Sequence, residues 1–214
     1  MNAVVANRIA TVKAERVPCL DLSFCNLGSV PDEVFELDWL TELWLHCNQI
    51  QYLPASMQKL PHLENLDLSA NRFVEFPRSV FSLPRLQNLA MASNQISSLP
   101  EDIARLQNLR SLDLDTNCIT RIPDQIKGLQ LLEELGLARN QIRVLPPGLV
   151  KLQNLRKLFL SGNQIESIPE FLTRLPQLAC VYLHANQIRT KPDFAIPAGL
   201  RLAWAGNPCS EGSR

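Results

Sequence analysis

The sequence predicts an α/β solenoid: a right-handed superhelix of short strands and α- or 3₁₀-helical turns, with a parallel sheet lining its concave face. Three observations carry this. A block of 23 residues recurs along nearly the whole chain, several of its columns are apolar in phase, and one further column is proline in eight copies out of eight. Self-similarity at such a period marks stacked supersecondary units and outranks local propensity.

The block Leu109 to Leu129 shows the design, with Leu112, Leu114, Asn117, Ile119, Pro123, Ile126 and Leu129 as its fixed points. Its asparagine recurs as Asn48, Asn71, Asn94, Asn117, Asn140, Asn163 and Asn186, and Cys25 holds the same place in the first copy. Six positions later stand Pro31, Pro54, Pro77, Pro100, Pro123, Pro146, Pro169 and Pro192. Five positions before the asparagine come Leu20, Leu43, Leu66, Leu89, Leu112, Leu135, Leu158, Val181 and Leu202. Three before it come Leu22, Leu45, Leu68, Met91, Leu114, Leu137, Leu160, Leu183 and Trp204, and two after it an Ile, Leu or Phe.

Each column has a physical task. Leu-x-Leu alternates with the period of a strand, so the leucines face inward and the residues between them outward. Parallel strands need long crossovers, which the rest of each copy supplies. The asparagine follows the strand, where turning backbone would bury unpaired amides. Its side chain both donates and accepts, so it is expected to bond the turn of its own copy and that of the next. Proline fixes φ and lacks an N–H, which suits an irregular entry to a short helical or 3₁₀ segment. Apolar residues nine and twelve past the asparagine, such as Ile103 and Leu106, then turn one stripe inward.

This pattern, Leu-x-x-Leu-x-Leu-x-x-Asn-x-Ile-x-x-Leu-Pro-x-x-Ile-x-x-Leu, resembles the leucine-rich repeat family from about Val17 to Pro208. The 23-residue form with Leu-Pro in its second half is similar to the intracellular subclass found in Ras-binding scaffold proteins and related plant and bacterial proteins. The resemblance implies a curved solenoid whose concave strand face binds another protein.

The ends differ from the repeats. Val5, Ile9 and Val12 recur at helical spacing, so Asn2 to Ala14 is expected to form a helix over the open end of the core. Its apolar stripe is short and lacks aromatics, which disfavours a membrane-surface helix. The eighth copy decays: Lys191 takes a normally apolar place and the next strand arrives 21 residues later. We therefore expect a capping helix over 1–16, eight repeats over 17–196, and a partial repeat and cap over 197–214. Capped ends favour a monomer.

Composition narrows the function. With 21 basic and 21 acidic residues there is no electrostatic case for nucleic acid or an anionic membrane. No apolar run approaches the ~18 residues of a spanning helix, and no signal peptide is evident at the start. Cys19, Cys25, Cys47, Cys118, Cys180 and Cys209 are scattered rather than clustered in caps, without metal-ligand spacing. Free thiols in the reducing cytoplasm are the expectation.

The outward strand residues carry the functional signal. Phe24, Trp44 and His46 form one aromatic group and Phe159, Tyr182 and His184 another, with Ala90, Ala92, Gly136 and Ala138 as a shallow stretch between. Asp21, Glu42, Asp67, Asp113, Asp115 and Glu134 form an acidic band, while Arg139, Lys157 and Arg201 come later. Exposed aromatics on a scaffold face are common interface anchors; the plainer alternative is that the rings lie flat on neighbouring strands and the charges are solvated surface. The expected partner is a protein that offers basic groups to the early strands and apolar groups to both aromatic groups.

Catalysis is disfavoured. His46 and His184 lie six strands apart, beyond hydrogen-bond reach at ~4.8 Å per strand. Asp113 and Asp115 share one strand face and hold a cation weakly at best, and Gly-x-Gly never occurs. No cofactor is expected. The resemblance implies a scaffold or adaptor whose partner is a small GTPase, a phosphatase or a ligase component. The alternative is a substrate-recognition module of a ubiquitin ligase or bacterial effector working with a separate catalytic chain. Carbohydrate or lipid recognition would want more depth than a flat sheet offers.

Overall fold

A computed structural model describes residues 3–210. The helix α1 (Ala3–Glu15) buries Val5, Ile9 and Val12; Asn2, where it was expected to start, lies outside the described residues. Nine strands follow: β1 (Cys19–Asp21), β2 (Glu42–Trp44), β3 (Asn65–Asp67), β4 (Asn88–Ala90), β5 (Ser111–Asp113), β6 (Glu134–Gly136), β7 (Lys157–Phe159), β8 (Cys180–Tyr182) and β9 (Arg201–Ala203). They form one parallel sheet in sequence order. Register keeps the columns aligned, Leu112 beside Leu135 and Leu135 beside Leu158, and the shortened last step sets Val181 beside Leu202.

Between strands the chain returns through one turn of 3₁₀ helix in each of the first seven copies, such as Glu101–Arg105 and Asp124–Gly128. The column proline sits just before each turn, with φ between −61° and −74° and extended ψ. Its carbonyl accepts the first bond of the turn, as from Ile103 N to Pro100 O at 3.1 Å. No such turn follows Pro192, where the copy decays. The turns stack closely: a side chain on Gly148 would stand 2.5 Å from the Asp124 carbonyl oxygen, so only glycine fits there. Among the described residues the strand leucines and turn residues make one continuous buried core, and at β9 Leu202 and Trp204 are half-buried.

The asparagine ladder forms, but runs the other way from expectation. Asn117 Nδ2 donates to Leu114 O of its own copy at 3.1 Å and to Met91 O of the preceding copy at 3.0 Å, and its Oδ1 accepts Ile96 N at 3.0 Å. The amide thus closes the turn behind it rather than the turn ahead. Asn207 repeats the arrangement for the last strand. In the first copy Arg8 of α1 substitutes: its guanidinium donates to Asp21 O at 2.9 Å and contacts Cys25 Sγ at 3.7 Å.

One column escaped the sequence reading. The residue just before each ladder position is left-handed: Phe24, Cys47, Ala70, Ser93, Thr116, Arg139 and Ala185 have φ of 52° to 57°, and Gly162 and Gly206 have 71° and 72°. Each of the first eight donates its N–H to the next strand, as Thr116 N does to Ala138 O at 2.7 Å, so sheet pairing holds the strained backbone. Thr116 is exposed and β-branched in this conformation. Thr116→Gly is therefore expected to stabilise by about 0.5–1 kcal/mol, strain relief outweighing the entropy of glycine. A higher urea midpoint checks this; a lower one would show that the threonine is unstrained.

Candidate functional site

The strands' outward residues form a continuous face on the concave side, and the rings there meet in two pairs. At one end Phe24, 74% exposed, stands edge-on to His46 with centroids 5.3 Å apart. The left-handed backbone at Phe24 throws its ring outward from the end of the strand. Half-buried Trp44 does not join this pair: its Nε1 turns back toward β1 and donates to Cys19 Sγ at 3.1 Å. Burial pushes the Cys19 thiol up despite that bond, and Glu42 adds to the rise. A raised thiol is a poor nucleophile.

At the other end Phe159 and Tyr182 occupy the same register on β7 and β8. Their rings stack with centroids 5.0 Å apart and planes 1° from parallel. His184 lies beyond them, exposed. Each expected aromatic group of three thus contains one contacting ring pair, with Trp44 and His184 outside the pairs.

The acidic band is partly compensated within the chain. Arg8 lies 3.9 Å from Asp21 and Lys157 meets Glu134 at 2.7 Å, while the His46 ring approaches Asp67 with Nδ1 3.3 Å from Oδ2. Burial raises the Asp21 carboxyl, but bonds from Ser23 and the charge of Arg8 outweigh it and hold the group low. The Glu134 bond holds Lys157 in its charged form. Among the described residues, neither Asp113 nor Asp115 has such an ion pair.

Asp113 and Asp115 lean toward Gly136. Asp113 Oδ1 accepts Asp115 N at 2.9 Å and Asp115 Oδ1 accepts Ala138 N at 2.7 Å. A side-chain carbon on Gly136 would meet these two oxygens at 2.8 and 2.9 Å. Burial pushes the Asp115 carboxyl up, the Ala138 N–H opposes this, and Asp113 adds to the rise. A raised folded-state value means that ionising Asp115 disfavours the fold. The favourable contribution of its acid form is full below the ordinary carboxylate range and lost as pH rises through the raised value. Asp115→Asn, which can still accept from Ala138, should therefore raise Tm at neutral pH. The gain should fade as the pH falls through the raised value and be gone below the ordinary 3.8. Tm measured across that range checks the sign; a gain that grew in acid would contradict it.

The opposite flank carries an open groove of about 1050 Å³ over Leu99, Arg121, Ile122, Arg143, Val144 and Leu145. No aromatic residue lines it, and its two arginines are balanced by Glu101 and Asp124. The flank carries one exposed aromatic, Tyr52, in the same column as Val144, whereas the sheet side carries rings in contacting pairs. Among the described residues no three His, Cys, Asp or Glu side chains converge on one point, and no helix is long and apolar enough to cross a membrane.

Comparison with known proteins agrees with this geometry. The family described as leucine rich repeat matches residues 17–73 and 130–188, and the leucine-rich repeat region family matches 57–141. A leucine-rich repeat protein of Leptospira interrogans is 32% identical, with 93% of this chain and 51% of that one aligned and a TM-score of 0.85. The chain therefore spans about half the length of that protein. The plant peptide hormone receptor RGFR1, solved in complex with RGF2, is 30% identical over 75% of this chain and 27% of its own, with a TM-score of 0.66. An internalin of Listeria monocytogenes shares the fold at 22% identity, covering 91% of this chain and 63% of its own with a TM-score of 0.73. No curated protein matches in sequence. The chain belongs to the leucine-rich repeat family, whose solenoids are typically non-catalytic frames for protein–protein interaction.

Proposed function

We propose that this protein is a non-catalytic scaffold or adaptor that grips one protein partner through its concave sheet. The observation that carries this is the pair of aromatic contacts at the two ends of one open face, Phe24 with His46 and Phe159 with Tyr182. Large rings left at the surface of a rigid sheet are the side chains that anchor interfaces, because they bury area at little entropic cost. Trp44, Asp67, Asp113, Asp115 and His184 complete the surface, and the partner offers basic groups between its apolar contacts.

The similarity to a plant receptor solved with RGF2 supports a protein or peptide ligand. The small GTPases, the phosphatases and the components of ligases are the partner classes that fit the Leu-Pro repeat type. Free thiols at all six cysteines support a cytoplasmic setting. We infer a monomer, organised as a cap over 1–16, eight repeats over 17–196 and a closing partial repeat over 197–214.

The double substitution Trp44→Ala, Tyr182→Ala tests the reading once a partner is in hand. Both side chains are half-buried on the surface, so the array should stay folded while affinity falls about tenfold or more. Unchanged affinity in calorimetry would remove the proposal.

A further inference from the structure

We infer that the concave face takes an extended segment of the partner whose charge reverses along its length, basic over β1 to β5 and acidic over β7 to β9; this rests on the proposed concave interaction face and deepens it. The chain as a whole is balanced, with 21 basic and 21 acidic residues. Its outward positions on the sheet are sorted by sign. Along β1 to β5 and the residues that extend each strand into its turn stand Asp21, Glu42, Asp67, Asp113 and Asp115, with no lysine or arginine. Along β7 to β9 stand Lys157 and Arg201, both exposed, with His184 and no carboxylate. The copy of β6 marks the crossing and carries one of each, Glu134 and Arg139.

Pairing within the chain does not erase the split. Arg8 offsets Asp21, Arg139 acts on Asp115, and Glu134 engages Lys157. Glu42, Asp67 and Asp113 then remain against Arg201, which has no ion pair among the described residues. On the rim just before the strands, Glu64 and Glu133 balance Arg110 and Arg156. The ring pairs fix the length of the segment. From Phe24 and His46, which follow β1 and β2, to Phe159 and Tyr182 on β7 and β8 is six strand steps. At ~4.8 Å a step this is about 29 Å, which about nine extended residues span at ~3.3 Å each. Ala90, Ala92 and Ala138 keep the floor between the ring pairs low, so one extended backbone can pass across the strands. Water reaches this face, so its charges set direction and selectivity more than affinity. A segment of one sign meets its own charge at one end, and a segment of mixed sign gains at neither.

Two capped peptides of one composition test the polarity without the partner. The dipolar probe is Leu-Lys-Lys-Lys-Gly-Asp-Asp-Asp-Leu and the alternating probe is Leu-Lys-Asp-Lys-Gly-Asp-Lys-Asp-Leu. Each is titrated at low salt into the full chain while its backbone amides are followed by NMR. The dipolar probe should give saturable shifts on the sheet face with a dissociation constant on the order of 1 mM, and the alternating probe should bind about fivefold more weakly. A nitroxide at the acidic end of the dipolar probe should broaden the Tyr182, His184 and Ala203 amides. One at the basic end should broaden those of Asp21, Phe24 and Trp44. In Lys157→Glu/Arg201→Glu, both at exposed positions, the face is acidic throughout, so both the orientation and the preference over the alternating probe should vanish. The same spectra report whether the variant is folded, and the label pattern in the unaltered chain decides the question independently of it. No saturable shift with the dipolar probe up to about 10 mM, equal affinity for the alternating one, broadening at both ends from one label, or orientation kept in the folded variant overturns the inference. Such a failure would leave the Trp44 and Tyr182 result untouched, because that experiment reads the wider face through the partner.

Discussion

Leu135→Ala is expected to lower the free energy of unfolding by about 2–5 kcal/mol. Leu135 is fully buried at the centre of the sheet, with Leu112 and Leu158 in register on either side. The substitution removes buried methylene and methyl groups and leaves a cavity that flanking copies cannot collapse to fill, because the register of both neighbours is fixed by their own hydrogen bonds. Leu202→Ala gives the contrast, since Leu202 is half-buried and belongs to the last strand. Its loss should be well under half as large. Urea unfolding followed by far-UV circular dichroism compares the two. Repeats contact only their neighbours, so damage at the centre also uncouples the two halves. Trp44 near one end and Trp204 near the other allow fluorescence to detect that uncoupling. Equal losses at the two leucines would contradict a core that is continuous through the middle and only half-buried at β9.

Asn117→Ala is expected to cost about 1–3 kcal/mol. The change strands the Ile96 N–H in the buried turn and takes one of two amide donors from each of the Met91 and Leu114 carbonyls, which keep Asn94 and Asn140. Alanine fills none of those roles, and the site is too closed for the backbone to turn its amides toward solvent. Cys25→Ala removes far less. The thiol there makes only weak bonds, donating to the Ser23 carbonyl and accepting from Arg8 at 3.7 Å, and Arg8 also serves the neighbouring Asp21 carbonyl from α1. The difference between the two variants measures the ladder directly, and equal losses would mean that the amides do not carry it.

These residues also show what the sequence made legible. The leucines, asparagines and prolines could be placed because a fixed period constrains all copies at once, and any alternative would break every copy together. The capping helix was legible for the same reason, since Val5, Ile9 and Val12 have nowhere to go except the open end of that core. The direction of the ladder was not, because an amide that donates and accepts serves a neighbour on either side equally well. Nor was the left-handed column. Its residues include Phe24, Cys47, Ser93, Thr116 and Arg139, which have no preference for positive φ, and only Gly162 and Gly206 hint at it. Sheet pairing imposes that conformation from outside the local sequence.

The residues of the candidate face could be placed on the strands one by one, but their contacts could not. Column arithmetic brought Phe159 beside Tyr182, and the structure stacks them. It could not show that Trp44 turns to Cys19 or that Arg8 reaches Asp21 from a separate helix. Compensation of Glu134 by Lys157 was within reach, because the two occupy the same column in adjacent copies. The lean of Asp113 and Asp115 over Gly136 depends on the missing side chain of a neighbouring copy, a relation visible only once copies are laid side by side.

The central claim is that the sheet side, not the opposite flank, holds the partner. Site-specific photo-crosslinking tests it most directly, with a benzophenone side chain placed at Ala92 or Ser161 on the concave face or at Val144 on the flank, 75% exposed. Both concave positions are expected to capture one and the same protein in the source cells, and Trp44→Ala with Tyr182→Ala should abolish the adduct. An adduct formed from Val144 alone, or one indifferent to the loss of both rings, would contradict the account.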